Sequence, residues 1–249
     1  MIAEDKGSEK LFDGHYRYLK DGNEYSQEIF SVTKNLDAKT IIYSSEILSR
    51  VSTGEFLKIK CHYEVNSSWN PTKVNVIKSL GNEFADELYE YDTSSQILKY
   101  TFLSDGPAHQ VERAIGGKFH ISTPAVLTSL LFTMQKRYNS VSRNQYYTVV
   151  SVNDWIYEGA PEDRFIYLEY KTGEKEELKI NGQSLSSTKC MLYEHDSIHN
   201  VKENPVIYYQ SKHIGIPYKA DLGEGIEVVI SNLKEWQTET YEFKDVFKS

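Results

Sequence analysis

Residues 57–65 have the sequence Leu-Lys-Ile-Lys-Cys-His-Tyr-Glu-Val, in which apolar and polar side chains alternate without interruption. A period of two puts alternate side chains on opposite faces of an extended chain. The stretch therefore predicts a β-strand with one buried face and one solvated face. Asn70-Pro71 then breaks the regular structure, and Val74 and Val76 resume the alternation. Together the two segments predict a β-hairpin.

The same extended pattern recurs on both sides of this hairpin. Further strands are predicted at His15–Leu19, Glu28–Thr33, Thr40–Leu48, Phe84–Tyr91, Gln96–Leu103, Tyr146–Val152, Asp154–Glu158, Phe165–Tyr170, Glu176–Ile180, Thr188–Tyr193, Val206–Ser211, Tyr218–Asp221 and Gly225–Ile230. The residues Lys171–Glu174 predict one hairpin turn, and Asn181-Gly182 predicts another. Strands that precede and follow a single helix do not form βαβ units, so a Rossmann-type sheet is not expected.

One helix is predicted between the two groups of strands. Thr123 suits the N-cap and Pro124 the first helical position. Apolar residues then recur at helical spacing at Leu127, Leu130, Leu131, Met134 and Tyr138. The predicted fold is mainly β: a large curled antiparallel sheet, or open half-barrel, with one principal helix from Thr123 to Tyr138 packed on its concave face. Residues 1–249 are expected to form a single domain, with a flexible N-terminus over residues 1–10.

The composition narrows the classes of partner. With 39% hydrophobic and 26% charged residues, the chain is typical of neither a disordered nor a membrane protein. Its 19 Tyr, 10 Phe and 3 Trp favour strands, and they also suit the wall of an apolar pocket. A net charge of −8 disfavours nucleic acid and anionic membranes as partners. Neither a membrane span nor an apolar signal segment is visible, so a cytoplasmic location is expected, unless a natural leader has been removed.

No motif predicts a metal or a cofactor. The nearest approach to a metal cluster is Cys190, His195 and His199. They follow a strand into a loop, where nothing aligns them as ligands, so no metal site is expected. Cys61 and Cys190 both lie among apolar residues, which indicates buried free thiols.

The approach to the predicted helix carries the most chemistry. Gly116-Gly117 leads to His120, Ser122 and Thr123, just before the helix begins. A helix N-terminus offers free N–H groups, so an anionic or carbonyl ligand would suit this position, although plain capping by Thr123 also explains the pattern. His213 and Tyr218 are placed opposite. The predicted acid–base residues are His120, His213 and Tyr218, and the predicted ligand-binding residues are Ser122, Thr123, Tyr63, Tyr147 and Trp155.

The order of these segments carries a resemblance. A strand ending in Tyr63-Glu64-Val65 leads to Trp69 and a second strand, and the chain later reaches Ser122-Thr123-Pro124 and then Gln145-Tyr146-Tyr147-Thr148. This order resembles bacterial glycolipid-binding proteins and the wider LolA/LolB lipoprotein-carrier architecture, including the violacein-pathway enzyme VioE. The resemblance implies an open β-barrel with a helix in its mouth. The carriers in this group bind lipids, whereas VioE-like members are cytoplasmic and act without a cofactor.

Two functions follow from the sequence. The first is binding of a hydrophobic or amphipathic, lipid-like small molecule in an aromatic-lined half-barrel. The alternative is a cofactor-free enzyme, such as an isomerase, cyclase or hydratase, that uses His and Tyr as proton donors and acceptors in the same cavity. A homodimer is left open.

Overall fold

The computed structural model of the protein describes residues 7–135, 144–152, 154–180, 182–197, 200–201, 206–210 and 215–236. This part of the chain forms one large, open, curled sheet, so the predicted fold class is confirmed. The strands of the first half are β1 (Ser8–Lys20), β2 (Asn23–Asn35), β3 (Thr40–Arg50), β4 (Phe56–Val65), β5 (Pro71–Leu80), β6 (Glu83–Asp92), β7 (Ile97–Leu103) and β8 (His109–Ala114). Those of the second half are β9 (His120–Ser122), β10 (Asn144–Val150), β11 (Asp163–Ile180), β12 (Gln183–Ser197), β13 (Asn200–Val201), β14 (Val206–Gln210), β15 (Pro217–Gly223) and β16 (Ile226–Glu235).

The sheet consists of two meanders joined through the first and last strands. Strands β1 to β8 lie side by side in chain order, and β16 pairs antiparallel with β1 to continue the sheet. The order across the sheet is β8-β7-β6-β5-β4-β3-β2-β1-β16-β15-β14-β12-β11-β10-β9, with β13 paired to β12 off this path. The tyrosine hydroxyl of Tyr16 donates to the carbonyl of Pro217 at 2.8 Å, which ties β1 to β15 across the intervening strand.

The aromatic residues mainly fill the inner face of the sheet. In β4 the predicted alternation is confirmed, because Ile59, Cys61, Tyr63 and Val65 are buried while Lys60 on the other face is exposed. In the neighbouring strands the same alternation places large aromatic rings on the buried face. The fully buried tyrosines include Tyr16, Tyr43, Tyr63 and Tyr89. Most of the tyrosine content of the first meander therefore serves the core.

Residues 115–135, which we call the inner segment, leave β8 and pass inside the curl. β9 lies close to β5, whereas the helical residues 126–128 lie close to both β3 and β15. Because β3 and β15 are separated by three strands in the order of the sheet, a segment that touches both must be wrapped by it. Gly215 approaches this segment so closely that a Cβ there would lie 3.0 Å from a methyl carbon of Leu131.

The predicted α-helix from Thr123 to Tyr138 is instead two short 3₁₀ helices, η1 (Val126–Thr128) and η2 (Leu131–Met134). Hydroxyls compete with the helix for its own carbonyls: Ser129 donates to Val126 at 2.7 Å, and Thr133 donates to Leu130 at 2.6 Å. The apolar residues that predicted the helix are nevertheless buried, at Leu127, Leu130 and Leu131. Tyr138 lies outside the described residues.

Three other local predictions are wrong. Asp154–Glu158 is not a strand, because its backbone is held by side chains: the ammonium of Lys78 donates to the Asp154 carbonyl at 2.7 Å. Lys171–Glu174 is not a hairpin turn but an irregularity within the continuous strand β11, where its register with β12 shifts. Residues 8–10, assigned to a flexible N-terminus, pair with β2, while residues 1–6 lie outside the described residues. The Asn181-Gly182 turn is consistent with the pairing of Ile180 with Gln183.

Two buried carboxylates hold the chain that runs inside the sheet. Glu28 of β2 accepts the backbone N–H groups of Val126 at 3.1 Å and Leu127 at 3.3 Å, and also the hydroxyl of Tyr18 at 2.6 Å. Burial raises the pKa of Glu28, and these donors oppose that rise. Glu87 of β6 accepts the N–H of Val152 at 3.0 Å. Each carboxylate therefore satisfies backbone donors that have no strand partner.

A buried amide fixes the other end of the inner segment. The side-chain amide of Gln135 donates to the carbonyls of Phe119 and Trp69, the latter at 3.1 Å. The ammonium of Lys118 donates to the backbone carbonyl of Gln135. Together with Glu28 and Glu87, Gln135 forms a set that we call the three clamps.

Replacing Glu87 with alanine should lower the free energy of unfolding by roughly 3 kcal/mol or more, because it leaves buried donors unpaired and opens a cavity. Glu28→Ala should cost a similar amount. The control is Glu90→Ala, on the exposed face of the same strand as Glu87, which should change stability by less than about 0.5 kcal/mol. Urea unfolding measures all three, and equal effects of Glu87→Ala and Glu90→Ala would contradict the clamp assignment.

Candidate functional site

A cavity of about 250 Å³ lies between the inner segment and the strands of the second meander. One part of its lining is polar and is made of His120, Ser122, Thr123, Ser129, Thr148 and Arg164. The other part is apolar and includes Val126, Phe132, Ile166, Leu192, Val206 and Tyr208. We call this space the inner cavity. The two sets of side chains together suit a small amphipathic molecule.

Parallel pairing of β9 with β10 positions the polar residues His120 and Ser122 in the lining of the inner cavity. His120 lies opposite Thr148, and Ser122 lies opposite Val150. Because side chains alternate along a strand, His120 and Ser122 both face the inner cavity while Ile121 points away from it. The sequence predicted His120, Ser122 and Thr123 as neighbours, and the structure brings all three to this cavity.

The imidazole of His120 is held in a desolvated position. It is only 2% exposed, and its Nδ1 atom lies 2.9 Å from the hydroxyl of Tyr63. The Tyr63 ring stacks on it at 5.6 Å, and the Phe132 ring packs edge-on at 5.5 Å. Burial lowers the pKa of His120 from 6.5 to about 3, so the ring is neutral at physiological pH.

Tyr63 supports this arrangement from β4 on the opposite wall. Its hydroxyl accepts the backbone N–H of Ile121 at 3.1 Å as well as contacting His120. Burial raises the pKa of Tyr63, so the hydroxyl keeps its proton. Tyr63, predicted as a ligand-binding residue, is not in the lining of the inner cavity but contacts His120, whose ring it orients.

Thr123 shapes the turn between β9 and η1. Its hydroxyl accepts the N–H of Ala125 at 3.3 Å and exchanges a hydrogen bond with the hydroxyl of Thr128 at 2.8 Å. The thiol of Cys61 donates to it at 3.5 Å. Burial raises the pKa of Cys61 to about 12, and Cys61 and Cys190 are both buried and free, as predicted.

The structure does not bring the other predicted residues to the inner cavity. Tyr147 faces the other side of β10, where it packs on Phe165 at 5.7 Å, and burial together with nearby Asp163 raises its pKa to about 12. Trp155 lies under the ammonium of Lys78 at 5.2 Å. Tyr218 is buried in β15, close enough to Tyr16 to raise the pKa of that residue, and does not line the cavity.

Two further residues singled out from the sequence lie outside the described residues. His213, placed opposite His120 by the sequence, lies outside them, as does His199 of the metal cluster that was considered. His195 of that cluster is in β12.

Sequence reasoning missed Arg164, which lines the inner cavity from β11. Its guanidinium pairs with the exposed carboxylate of Glu162 at 3.2 Å. The available signal was a cation directly before the predicted strand Phe165–Tyr170, but nothing in the sequence shows that this strand lies across from β9. Thr148 and Phe132 were missed for the same reason.

A larger hollow of about 630 Å³ lies on the outer face, over β1 to β5. Its rim carries charges of both signs that already pair with one another, as Lys10 does with Asp13 at 2.7 Å and Lys60 with Glu46 at 3.9 Å. Exposed ion pairs of this kind are solvated and contribute little to the stability of the fold. The inner cavity is therefore the stronger candidate site.

The comparisons with known proteins describe the fold alone. No protein-family model matches the chain, and a search of curated protein sequences also gave no match. A crystal structure of a β-barrel-like protein of the DUF1849 domain family from Brucella abortus is similar, with a TM-score of 0.56 and 8% identity over 92% of this chain and 98% of that one. A DUF1089 family protein from Pseudomonas aeruginosa has a TM-score of 0.48 and 9% identity over 78% of this chain and 88% of that one.

The first of these similarities supports the β-barrel-like fold that the resemblance made from sequence implied, but not the LolA/LolB or VioE-like architecture specifically. At this identity the likeness carries no activity or ligand with it. Within the described part of the chain, none of the helices has both the length and the apolar character needed to cross a bilayer.

The buried His120 should make stability depend on pH. Its pKa is about 3 in the folded protein and 6.5 in the unfolded chain, so the stabilisation is complete above pH 6.5 and is lost as the pH falls towards 3. Between pH 7 and pH 4.5 this one group should account for a loss of roughly 2–3 kcal/mol. Urea unfolding of the natural protein and of His120→Phe at both pH values measures it.

Between pH 7 and pH 4.5, His120→Phe should lose roughly 2–3 kcal/mol less stability than the natural protein. The control is His109→Phe, since His109 is exposed and stacks on Tyr157 far from the inner cavity. Identical acid sensitivity in His120→Phe and the natural protein would show that His120 is solvated.

Proposed function

We propose that the protein binds a small amphipathic molecule in the inner cavity. The observation that carries the proposal is the mixed lining of this 250 Å³ space, which combines hydroxyl and imidazole groups with apolar side chains. Ligand cavities in proteins are mostly apolar with a few placed polar groups, and they usually measure about 300–1,000 Å³. The inner cavity has this character, and its volume of about 250 Å³ lies just below this range.

The volume of the inner cavity limits the size of the lipid-like ligand that the sequence predicts. A space of 250 Å³ accommodates a short acyl chain or a compact ring system, but not a whole phospholipid. The carrier role that the LolA/LolB resemblance implies is retained in this restricted form: the protein holds one small apolar molecule, or one chain of a larger one, away from water.

The pKa shifts of the buried side chains favour ligand binding over acid–base catalysis. A general acid or base works best when its pKa lies near the working pH. Burial takes the pKa of His120 to about 3, and it raises the pKa of Tyr63, so neither group exchanges protons readily near neutrality. Such groups suit the recognition of a ligand by fixed hydrogen bonds.

Binding should be detectable with 2-octanone, an eight-carbon probe with one polar group. At a concentration one hundred times its dissociation constant, a ligand stabilises the folded state by about 2.7 kcal/mol, which should raise the melting temperature by roughly 5–10 °C. Native mass spectrometry of the protein purified from its own source tests independently for a bound small molecule.

Val206→Phe should abolish the shift, because Val206 is one of the apolar lining residues and the larger ring takes up space in the cavity. The matched control is Val111→Phe, a half-buried position on β8 away from the inner cavity, which should leave the shift unchanged. If no probe binds, or if both variants bind equally well, the inner cavity is not a ligand site.

A further inference from the structure

The hydrogen bonds around Tyr63 determine where His120 carries its proton. A tyrosine hydroxyl has one proton to donate and can accept others. The hydroxyl of Tyr63 already accepts the N–H of Ile121 at 3.1 Å, and its remaining close polar contact is Nδ1 of His120 at 2.9 Å. If Nδ1 carried a proton, both groups would be donors to the same oxygen and the buried hydroxyl proton would lack an acceptor.

The arrangement that satisfies every group has Tyr63 donating to Nδ1. A neutral imidazole then carries its single proton on Nε2. His120 is neutral because it is 2% exposed and has no acidic partner among its ring contacts, which are Tyr63 and Phe132. The ring therefore presents an N–H donor on the side away from Tyr63.

That donor has no hydrogen-bond partner within the described ranges, and the ring lines the inner cavity. Two of the neighbouring hydroxyls already donate to carbonyl groups of the chain. Ser129 donates to the carbonyl of Val126 at 2.7 Å, and Thr128 donates to the carbonyl of Ala125 at 3.1 Å. Nε2 is therefore open to the inner cavity, where the acceptor atom of a ligand can reach it.

We propose that the inner cavity binds a neutral acyl compound, such as a ketone, ester or lactone, whose carbonyl oxygen accepts a hydrogen bond from Nε2 of His120. This rests on the proposed function and names its ligand class. The short apolar chain of the compound then packs against Phe132, Ile166 and Leu192. His120 is a binding residue, and Tyr63 is a positioning residue that holds the tautomer.

Burial selects a neutral group at this point. A carboxylate placed beside His120 would lose its hydration and gain only one N–H donor in return. Arg164, the nearest cation in the lining, already pairs with Glu162 at 3.2 Å. A carbonyl oxygen needs no counter-charge and fits a single imidazole donor.

The test uses a pair of isosteric probes, 2-octanone and 2-methyl-1-octene, in which a methylene group replaces the carbonyl oxygen. The ketone should bind roughly tenfold more tightly than the alkene, since one hydrogen bond separates them. His120→Phe, which keeps a ring beside Tyr63, should remove this preference, whereas His109→Phe should keep it. Octanoate, as a third probe, should bind more weakly than the ketone.

A spectroscopic measurement tests the tautomer directly. Two-bond ¹H–¹⁵N spectra of the histidine rings at pH 7 should show His120 protonated at Nε2 alone, and the Nε2 proton should move downfield on addition of 2-octanone but not of the alkene. Tyr63→Phe should give a mixture of tautomers and a reduced ketone preference, while Tyr25→Phe, at an exposed tyrosine, should change neither.

The outcomes separate the two proposals. If neither probe binds, the proposed function fails. If both probes bind equally in the natural protein, or if octanoate binds most tightly, the cavity is a ligand site but the neutral-carbonyl inference is overturned. A ring protonated at Nδ1 also overturns it, and this readout needs no variant, so it stands even if His120→Phe fails to fold.

Discussion

The structure depends on one constraint: backbone that runs inside a curled sheet must find hydrogen-bond partners there. Strands satisfy their own N–H and C=O groups through their neighbours, but the inner segment and the residues after β10 cannot do so throughout. Side chains from the sheet wall take over this task. Glu28 binds the start of η1, Glu87 binds Val152, and Gln135 binds the carbonyls of Phe119 and Trp69. Buried ionisable groups are expensive, so their use here shows how strongly the unpaired backbone must be compensated.

The inner cavity is a consequence of the same arrangement. Glu28 and Gln135 fix the inner segment against β2 and the Trp69 turn, and the inner cavity lies on the side of this segment that faces the second meander. The hydroxyls of Thr128, Ser129 and Thr133 that shorten the helix also satisfy local carbonyls, so they stabilise the turn without reaching across the space. Tyr63 reaches this segment from β4 and fixes the imidazole of His120, which lines the cavity.

The similarity to the Brucella abortus structure at 8% identity indicates what this architecture requires of a sequence. A meander needs alternation and turn residues, which very different sequences can supply, so the fold recurs without recognisable motifs. The specific chemistry lies in a few positions that the alternation leaves open. Here these are the inward positions occupied by charged or polar side chains instead of apolar ones, above all His120 and Glu28.

The sequence by itself determined the extended pattern, the two-faced strands and the burial of Leu127, Leu130 and Leu131, because the alternation and spacing of side chains act locally. It also marked His120, Ser122 and Thr123 as one group, since they are adjacent in the chain. The alternation along β2 also places Glu28 on the inner face, because Glu28 shares that face with Phe30 and Val32. Only the tertiary structure decided that Glu28 binds η1, that Tyr63 orients His120 and that Arg164 lies across the cavity. These contacts join residues up to 99 positions apart, and their geometry depends on how far the sheet curls, which no local pattern encodes.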